Sequence, residues 1–133
     1  MSQENVEVVR RTFDLWNRGD LTEWIAVHHP EVVVVPPDGW PEGAQTLFSR
    51  DEWLAQAFRL IDSWAEQRFE IQRVADAGDS VLVLFSWITR GKGSDIPLVT
   101  DMGGVATMHD GLVTRWVFFN DPSEALEAVG LSE

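Results

Sequence analysis

Two long β-rich runs meet at His109-Asp110-Gly111, and a chain containing that hairpin has few folds open to it. Asp-Gly between such runs is a strong turn signal, because a two-residue hairpin turn needs positive φ at both central positions. On the ascending side, Val99, Asp101, Gly103, Val105, Thr107 and His109 alternate with Thr100, Met102, Gly104, Ala106 and Met108; the return run, Leu112 to Asn120, is dense in Val, Trp and Phe. Asp121-Pro122-Ser123-Glu124 then predicts a helix, with Asp as N-cap, Pro at the first helical position and Glu three residues after the cap. Gly130 stands where that helix needs a left-handed residue to stop. A hairpin with one very apolar face needs cover, and the preceding hundred residues must supply it.

The upstream pattern predicts three helices. Val6, Val9, Phe13 and Trp16 form one helical stripe ending at Gly19. Asp20 caps a second helix that buries Leu21, Trp24, Ile25 and Val27 and ends at His29-Pro30, since the residue before proline avoids the α region. Val32 to Val35 is a short strand with both faces covered. Pro36 to Ser49, rich in Pro and Gly around Trp40, Leu47 and Phe48, reads as an ordered flap. Ser49 caps a third helix whose Trp53, Leu54, Ala57, Phe58, Leu60, Ile61 and Trp64 cover about half its circumference. The period then becomes alternating: Phe69, Ile71 and Val74 mark one strand, Ala77-Gly78-Asp79 a turn, and Val81 to Arg90 a central strand apolar on both faces.

Strands in succession joined by short turns make an antiparallel sheet with the helices on one face, the α+β class, in a chain whose 133 residues suit one domain. One apolar face of the central strand packs on the helices. For the other face a second copy is the simplest cover, so a homodimer through the sheet is expected, with Leu82, Leu84 and Ile88 in its interface.

Composition removes several functions. No cysteine is present, which excludes disulfides, thiol catalysis and thiolate metal sites and fits a cytoplasmic protein. A net charge of −12 repels phosphate backbones, so nucleic acid is not expected as a partner, nor is a membrane, because no apolar run is long enough to span one. Seven Trp and seven Phe stand beside no Tyr at all, which rules out tyrosine as a catalytic acid.

The element order, the Asn17-Arg18-Gly19-Asp20-Leu21 junction and the ending Asp110-Gly111 with Asp121 to Leu131 resemble the nuclear transport factor 2-like superfamily, and within it the SnoaL-like branch related to polyketide cyclases. The resemblance covers essentially the whole chain. It implies a cystatin-like cone: a curved antiparallel sheet wrapped by three helices, with a short C-terminal helix and a deep pocket. Members of the superfamily isomerise ketosteroids, open epoxides, cyclise polyketides, dehydrate or only bind, so fold does not assign function. Their catalytic sets do not carry over. The isomerase Tyr falls at Thr12, its catalytic Asp at Pro36 and its second acid at Gly103-Gly104. The epoxide hydrolase Arg and Asp fall near Trp87 and Thr89, and its last Asp at Phe118. The cyclase His and Asp have only His109 and Asp121 as counterparts, and a surface turn and an N-cap account for both.

Asp101 is the acid whose position asks for a reason, since Asp is disfavoured in a strand. Facing the cone, it is a desolvated general acid or base; otherwise it is an exposed edge residue or the partner of Arg90 or Lys92. Trp16, Trp40, Trp53, Trp87, Trp116 and Phe118 are expected to line one cavity, with Asn120 as its polar end. The alternative is that these rings plug the cone. His28-His29 lies at a predicted helix end, where adjacent side chains point about 100° apart and cannot chelate together, so no metal is expected, and no cofactor either. The expected function is binding of a small apolar molecule, with or without isomerase, cyclase or hydrolase turnover of a hydrophobic cyclic ligand. The competing reading is a non-catalytic binding or dimerisation module.

Overall fold

A computed structural model describes residues 2–38 and 45–131. Trp40 therefore lies outside the described residues. Helices α1 (Ser2–Asn17) and α2 (Leu21–Ala26) lead into strand β1 (His28–Val35); helix α3 (Arg50–Asp62) follows, then β2 (Glu66–Asp76), β3 (Ser80–Arg90), β4 (Pro97–His109), β5 (Leu112–Phe119) and helix α4 (Pro122–Ala128). The strands form one curved sheet in the order β1-β5-β4-β3-β2. Strands β2 to β5 pair antiparallel as a meander, and β1 joins the edge parallel to β5. None of the described helices is long and apolar enough to cross a membrane.

The punctuation works as the local chemistry requires. Asp110 and Gly111 take φ of 50° and 78° at the hairpin tip. Gly130, at φ 73°, ends α4 while the Leu131 N–H returns to the Leu126 carbonyl at 2.9 Å. Asp20, Ser49 and Asp121 cap their helices by accepting from Glu23, Glu52 and Ser123 backbone N–H groups. The Ser123 donors to the Asp121 carboxylate also hold its pKa below the ordinary value. Asn17 works across the fold: its side-chain amide donates to the Phe69 carbonyl and accepts from the Phe69 N–H, each at 2.8 Å. This pins the end of α1 to the edge strand β2, using groups that otherwise have no ladder partner.

Two details depart from expectation. Helix α2 stops at Ala26, two residues before His28, which instead opens β1. Pro30 is then tolerated inside a strand because that strand is an edge. Phe58 of α3 is 56% exposed, so the buried stripe of that helix is Trp53, Ala57 and Leu60, narrower than the composition suggests.

The sheet's two faces have different cover. Helices α1 to α3 close the concave face over Val81, Val83, Phe85 and Trp87. On the convex face α4 lies over β3 and β4, and Leu82, fully buried, packs with Ala125 and Leu126 while Leu84 sits half-buried beside them. The chain's own terminal helix thus covers two of the three residues expected to meet a second copy. Gly103 makes that possible, since a β-carbon there overlaps the Cβ of Ala125. Gly104, pointing to the opposite face, leaves room for Phe118 and Trp116, whose ring atoms stand 3.2 and 3.3 Å from where its β-carbon goes. Gly103→Ala is expected to lose about 1–3 kcal/mol through overpacking, measured by urea unfolding. Adding Ala125→Gly recovers part of that loss; an unchanged midpoint in the single variant contradicts the packing described.

Candidate functional site

Concave-face residues at alternate positions of β2, β3 and β5 meet one stripe of α1 and one indole each from α2 and α3. Between them is a cavity of about 40 Å³ bordered by Thr12, Phe13, Trp16, Trp24, Trp53, Phe69, Phe85, Trp116 and Phe118. A water needs roughly 10–15 Å³ on this measure, so about three or four non-hydrogen atoms fit without rearrangement. The rings pack mostly edge-to-face: Phe13 on Phe85 at 5.1 Å, Trp16 on Trp24 at 5.1 Å, Phe69 on Phe85 at 5.3 Å. Trp116 and Phe118, two apart on β5 and so on one face, instead stack at 5.0 Å and 14°.

Two acceptors set the indole orientations. The Gln67 side-chain oxygen receives the Trp16 N–H at 2.7 Å and the Trp87 N–H at 3.2 Å. His28 Nε2 receives the Trp116 N–H at 3.1 Å and the Trp53 N–H at 3.4 Å. The other imidazole nitrogen, Nδ1, donates to the Trp24 carbonyl at 3.0 Å, which fixes the tautomer with the lone pair on Nε2. The imidazole is completely buried, and burial is the main reason its pKa falls from 6.5 to about 4. The hydrogen bonds with the Trp24 and Ile25 backbone oppose that fall, and the Arg50 guanidinium adds to it. At neutral pH this is an uncharged structural imidazole with both nitrogens occupied.

The sequence-based candidates fall in several places. Trp16, Trp53, Trp116 and Phe118 border the cavity. Trp87 lies on the concave face beyond it, edge-on to Trp64 at 5.8 Å. Asn120 is exposed and donates from its side chain to the Asp38 carbonyl, tying β5 to the segment after β1. Asp101 points from the convex face, exposed, and accepts from the Ser86 hydroxyl at 2.6 Å; Gln72 donates to that same hydroxyl at 3.1 Å. Its cross-strand neighbour Ser86, rather than Arg90 or Lys92, explains an Asp in this strand. His109, with a side chain 77% exposed, is a turn residue beside Asp110.

Thr12, Trp24, Phe13, Phe69 and Phe85 complete the wall, while His28 and Gln67 organise it from behind. Alternation and helical spacing point Phe69, Phe85 and Phe13 inward. For His28 the sequence carries one signal, Trp24 four residues earlier; its role depends on opening β1 and not on ending a helix. Chemically, among the described residues the wall offers π surface, the Thr12 hydroxyl and the Trp24 indole. Among the described residues it presents no carboxylate, imidazole or amine to a bound molecule, and general acid–base catalysis requires such a group within hydrogen-bond reach.

Comparison with known proteins agrees with this architecture. Residues 9–116 match the SnoaL-like domain. An NTF2-like protein of unknown function from Burkholderia pseudomallei superposes with a TM-score of 0.78 at 22% identity, over 95% of this chain and 97% of that one. A hypothetical protein of ketosteroid isomerase-like fold from Catenulispora acidiphila, solved with trimethylamine, gives 0.75 at 17% over 95% and 94%. TerC, co-crystallised with polyporic acid, gives 0.76 at 20% over 96% and 98%. At these identities the likeness establishes the fold. No curated protein matches in sequence.

Proposed function

The chain belongs to the SnoaL-like domain family, and we propose that within it this protein is a binding module, holding one compact small molecule in the aromatic chamber without turning it over. The observation that carries this is the composition of the wall: among the described residues, eight aromatic residues and one threonine around a cavity of about 40 Å³. Pockets for small molecules are mostly apolar with few polar groups, and this one is extreme in that direction. Two proteins of the same fold were solved with trimethylamine and polyporic acid, which supports small-molecule binding as the use of the concave face. Turnover lacks support, because the buried His28 has no free nitrogen and Asp101 lies on the other side of the sheet.

Intrinsic tryptophan fluorescence reads the chamber directly, since the indoles of Trp16, Trp24, Trp53 and Trp116 border it. A small ligand from a panel of compact amines, ketones and alcohols is expected to quench it saturably. Phe118→Trp, which fills the cavity from a half-buried position, is expected to weaken that binding at least about tenfold. Quenching untouched by the filled variant refutes the assignment of the site, and turnover of any bound ligand refutes the claim of binding alone.

The convex face beyond α4 keeps Ile88 opposite Val99 in register, and Val99 is 65% exposed. The protein is proposed to pair there with a second copy, over a smaller area than the full sheet. Sedimentation is expected to show a dimer that Val99→Lys converts to monomer; a wild-type monomer at micromolar concentration excludes the pairing.

A further inference from the structure

Strand β4 runs further than its neighbour. Its pairing with β5 ends at Gly103 opposite Phe119, whereas its pairing with β3 continues to Pro97 opposite Arg90. From Pro97 to Asp101, all exposed, β4 therefore has a strand on one side and none on the other among the described residues. Two hydrogen bonds settle which main-chain groups that edge presents. The Arg90 and Ser80 carbonyls accept from the Ala65 and Ala77 N–H groups, each at 2.9 Å, so the even-numbered residues of β3 turn their N–H and C=O toward β2. Alternate residues of a strand turn them in opposite directions, so the odd-numbered ones face β4. Trp87 and Thr89 thus bond Thr100 and Leu98, their register partners, across an uninterrupted ladder. Pro97, Val99 and Asp101 are left facing outward, and among the described residues no backbone hydrogen bond takes up their groups. Proline fits there because its missing N–H falls on the open side. Most of the exposed large apolar side chains among the described residues, Ile96, Leu98 and Val99, lie on this same stretch.

We propose that a second copy adds to this edge, antiparallel, about a two-fold axis at Val99, joining the two five-stranded sheets into one. This rests on the self-association proposed above and names the contact that makes it. A copy is the occupant the edge fits, because register, charge and length agree on one symmetric pairing. Like faces meet only when the axis passes through a residue. An axis at Thr100 drives the second copy's Pro97 against Gly103, where β5 already lies. Axes at Leu98 or Asp101 set carboxylates opposite one another, Asp95 against Asp101 or Asp101 against itself. The axis at Val99 has neither fault. Each Val99 exchanges both its main-chain bonds with the other, and each Asp101 N–H donates to the second copy's Pro97 carbonyl. The side chains agree: Val99 meets Val99, a β-branched pair, on the convex side, and Leu98 meets Thr100 on the concave side. The contact is short, so a dissociation constant on the order of micromolar is expected.

Amide hydrogen exchange on the full chain, read residue by residue across about a hundredfold dilution spanning that constant, tests this beside sedimentation. The Val99 and Asp101 amides are expected to exchange at least about tenfold more slowly in the dimer than in the monomer, while Leu98 and Thr100, bonded to β3, are protected in both. Val99→Pro, which removes an outward N–H and no bond to β3, is expected to weaken the dimer at least about tenfold. Val99→Thr, which keeps the donor and the β-branching, is expected to weaken it less than about threefold. A dimer whose Val99 and Asp101 amides exchange as in the monomer is packed face to face; the edge pairing is then wrong and self-association stands. A protein that stays monomeric at about tens of micromolar removes both. The exchange measurement decides even where Val99→Pro does not fold.

Discussion

Replacing His28 by leucine lowers the unfolding free energy by about 3–5 kcal/mol, the largest single-residue effect expected in this protein. The substitution nearly conserves volume, so a cavity is not the cause. The cause is two indole N–H groups, on Trp53 and Trp116, that share His28 Nε2 as their acceptor. Each buried donor left without a partner costs about 1–3 kcal/mol, and the Trp24 carbonyl loses the Nδ1 donor as well. Arg50, whose guanidinium approaches the His28 carbonyl at 3.4 Å, keeps that contact, because it is made to the backbone. Urea unfolding followed by tryptophan emission measures the loss. A decrease under about 1 kcal/mol shows that water satisfies the two indoles, and then the imidazole is not what orders the chamber.

The second large effect is on acid stability. An unfolded chain protonates His28 near 6.5, whereas the folded protein holds it neutral down to about 4. Between those values the unfolded state binds more protons, so stability falls as pH falls. The contribution of this residue is complete above about pH 6.5, drains between 6.5 and 4, and is gone below; it amounts to about 3 kcal/mol over that window. The structural reason is that a second proton belongs on Nε2, the atom already receiving two N–H donors. Protonation therefore sets three hydrogens against one another, and the indoles of Trp53 and Trp116 must turn away. Stability curves measured every half unit from pH 4 to 7.5 are expected to show this slope in the wild type and its loss in His28→Leu. A slope that persists in the variant assigns the acid sensitivity to other groups.

Much of the framework was legible because its signals are local. Asp110-Gly111 imposes its own backbone angles, and Asp121-Pro122-Ser123-Glu124 carries a cap, a fixed φ and a first-turn carboxylate in four residues. Alternation put Trp116 and Phe118 on one face, and helical spacing put Phe13 and Trp16 on one stripe. The limits of that reading appear where a side chain's meaning depends on a distant partner. Asp101 is intelligible only beside Ser86, and Asn17 only beside Phe69. Leu82 is an apolar strand residue without visible cover in the sequence, and α4 supplies that cover. Gly103 and Gly104 stand where the isomerase's second acid falls, and are the two points where a helix and a pair of rings press on one strand.

The amino-acid sequence by itself determined the hairpin, the caps, the element order, the absence of thiol and tyrosine chemistry, and an interior built of rings. Only the tertiary structure decided that those rings enclose a small chamber, that the indole N–H groups of Trp16, Trp53 and Trp116 are held by Gln67 and His28, and that a histidine from one edge strand serves Trp116, 88 residues further on. Backbone propensity acts over a few neighbours and is written in their identities. Which acceptor meets which donor depends instead on four elements arriving at one place, and a lone pair carries no mark of its partner until they do.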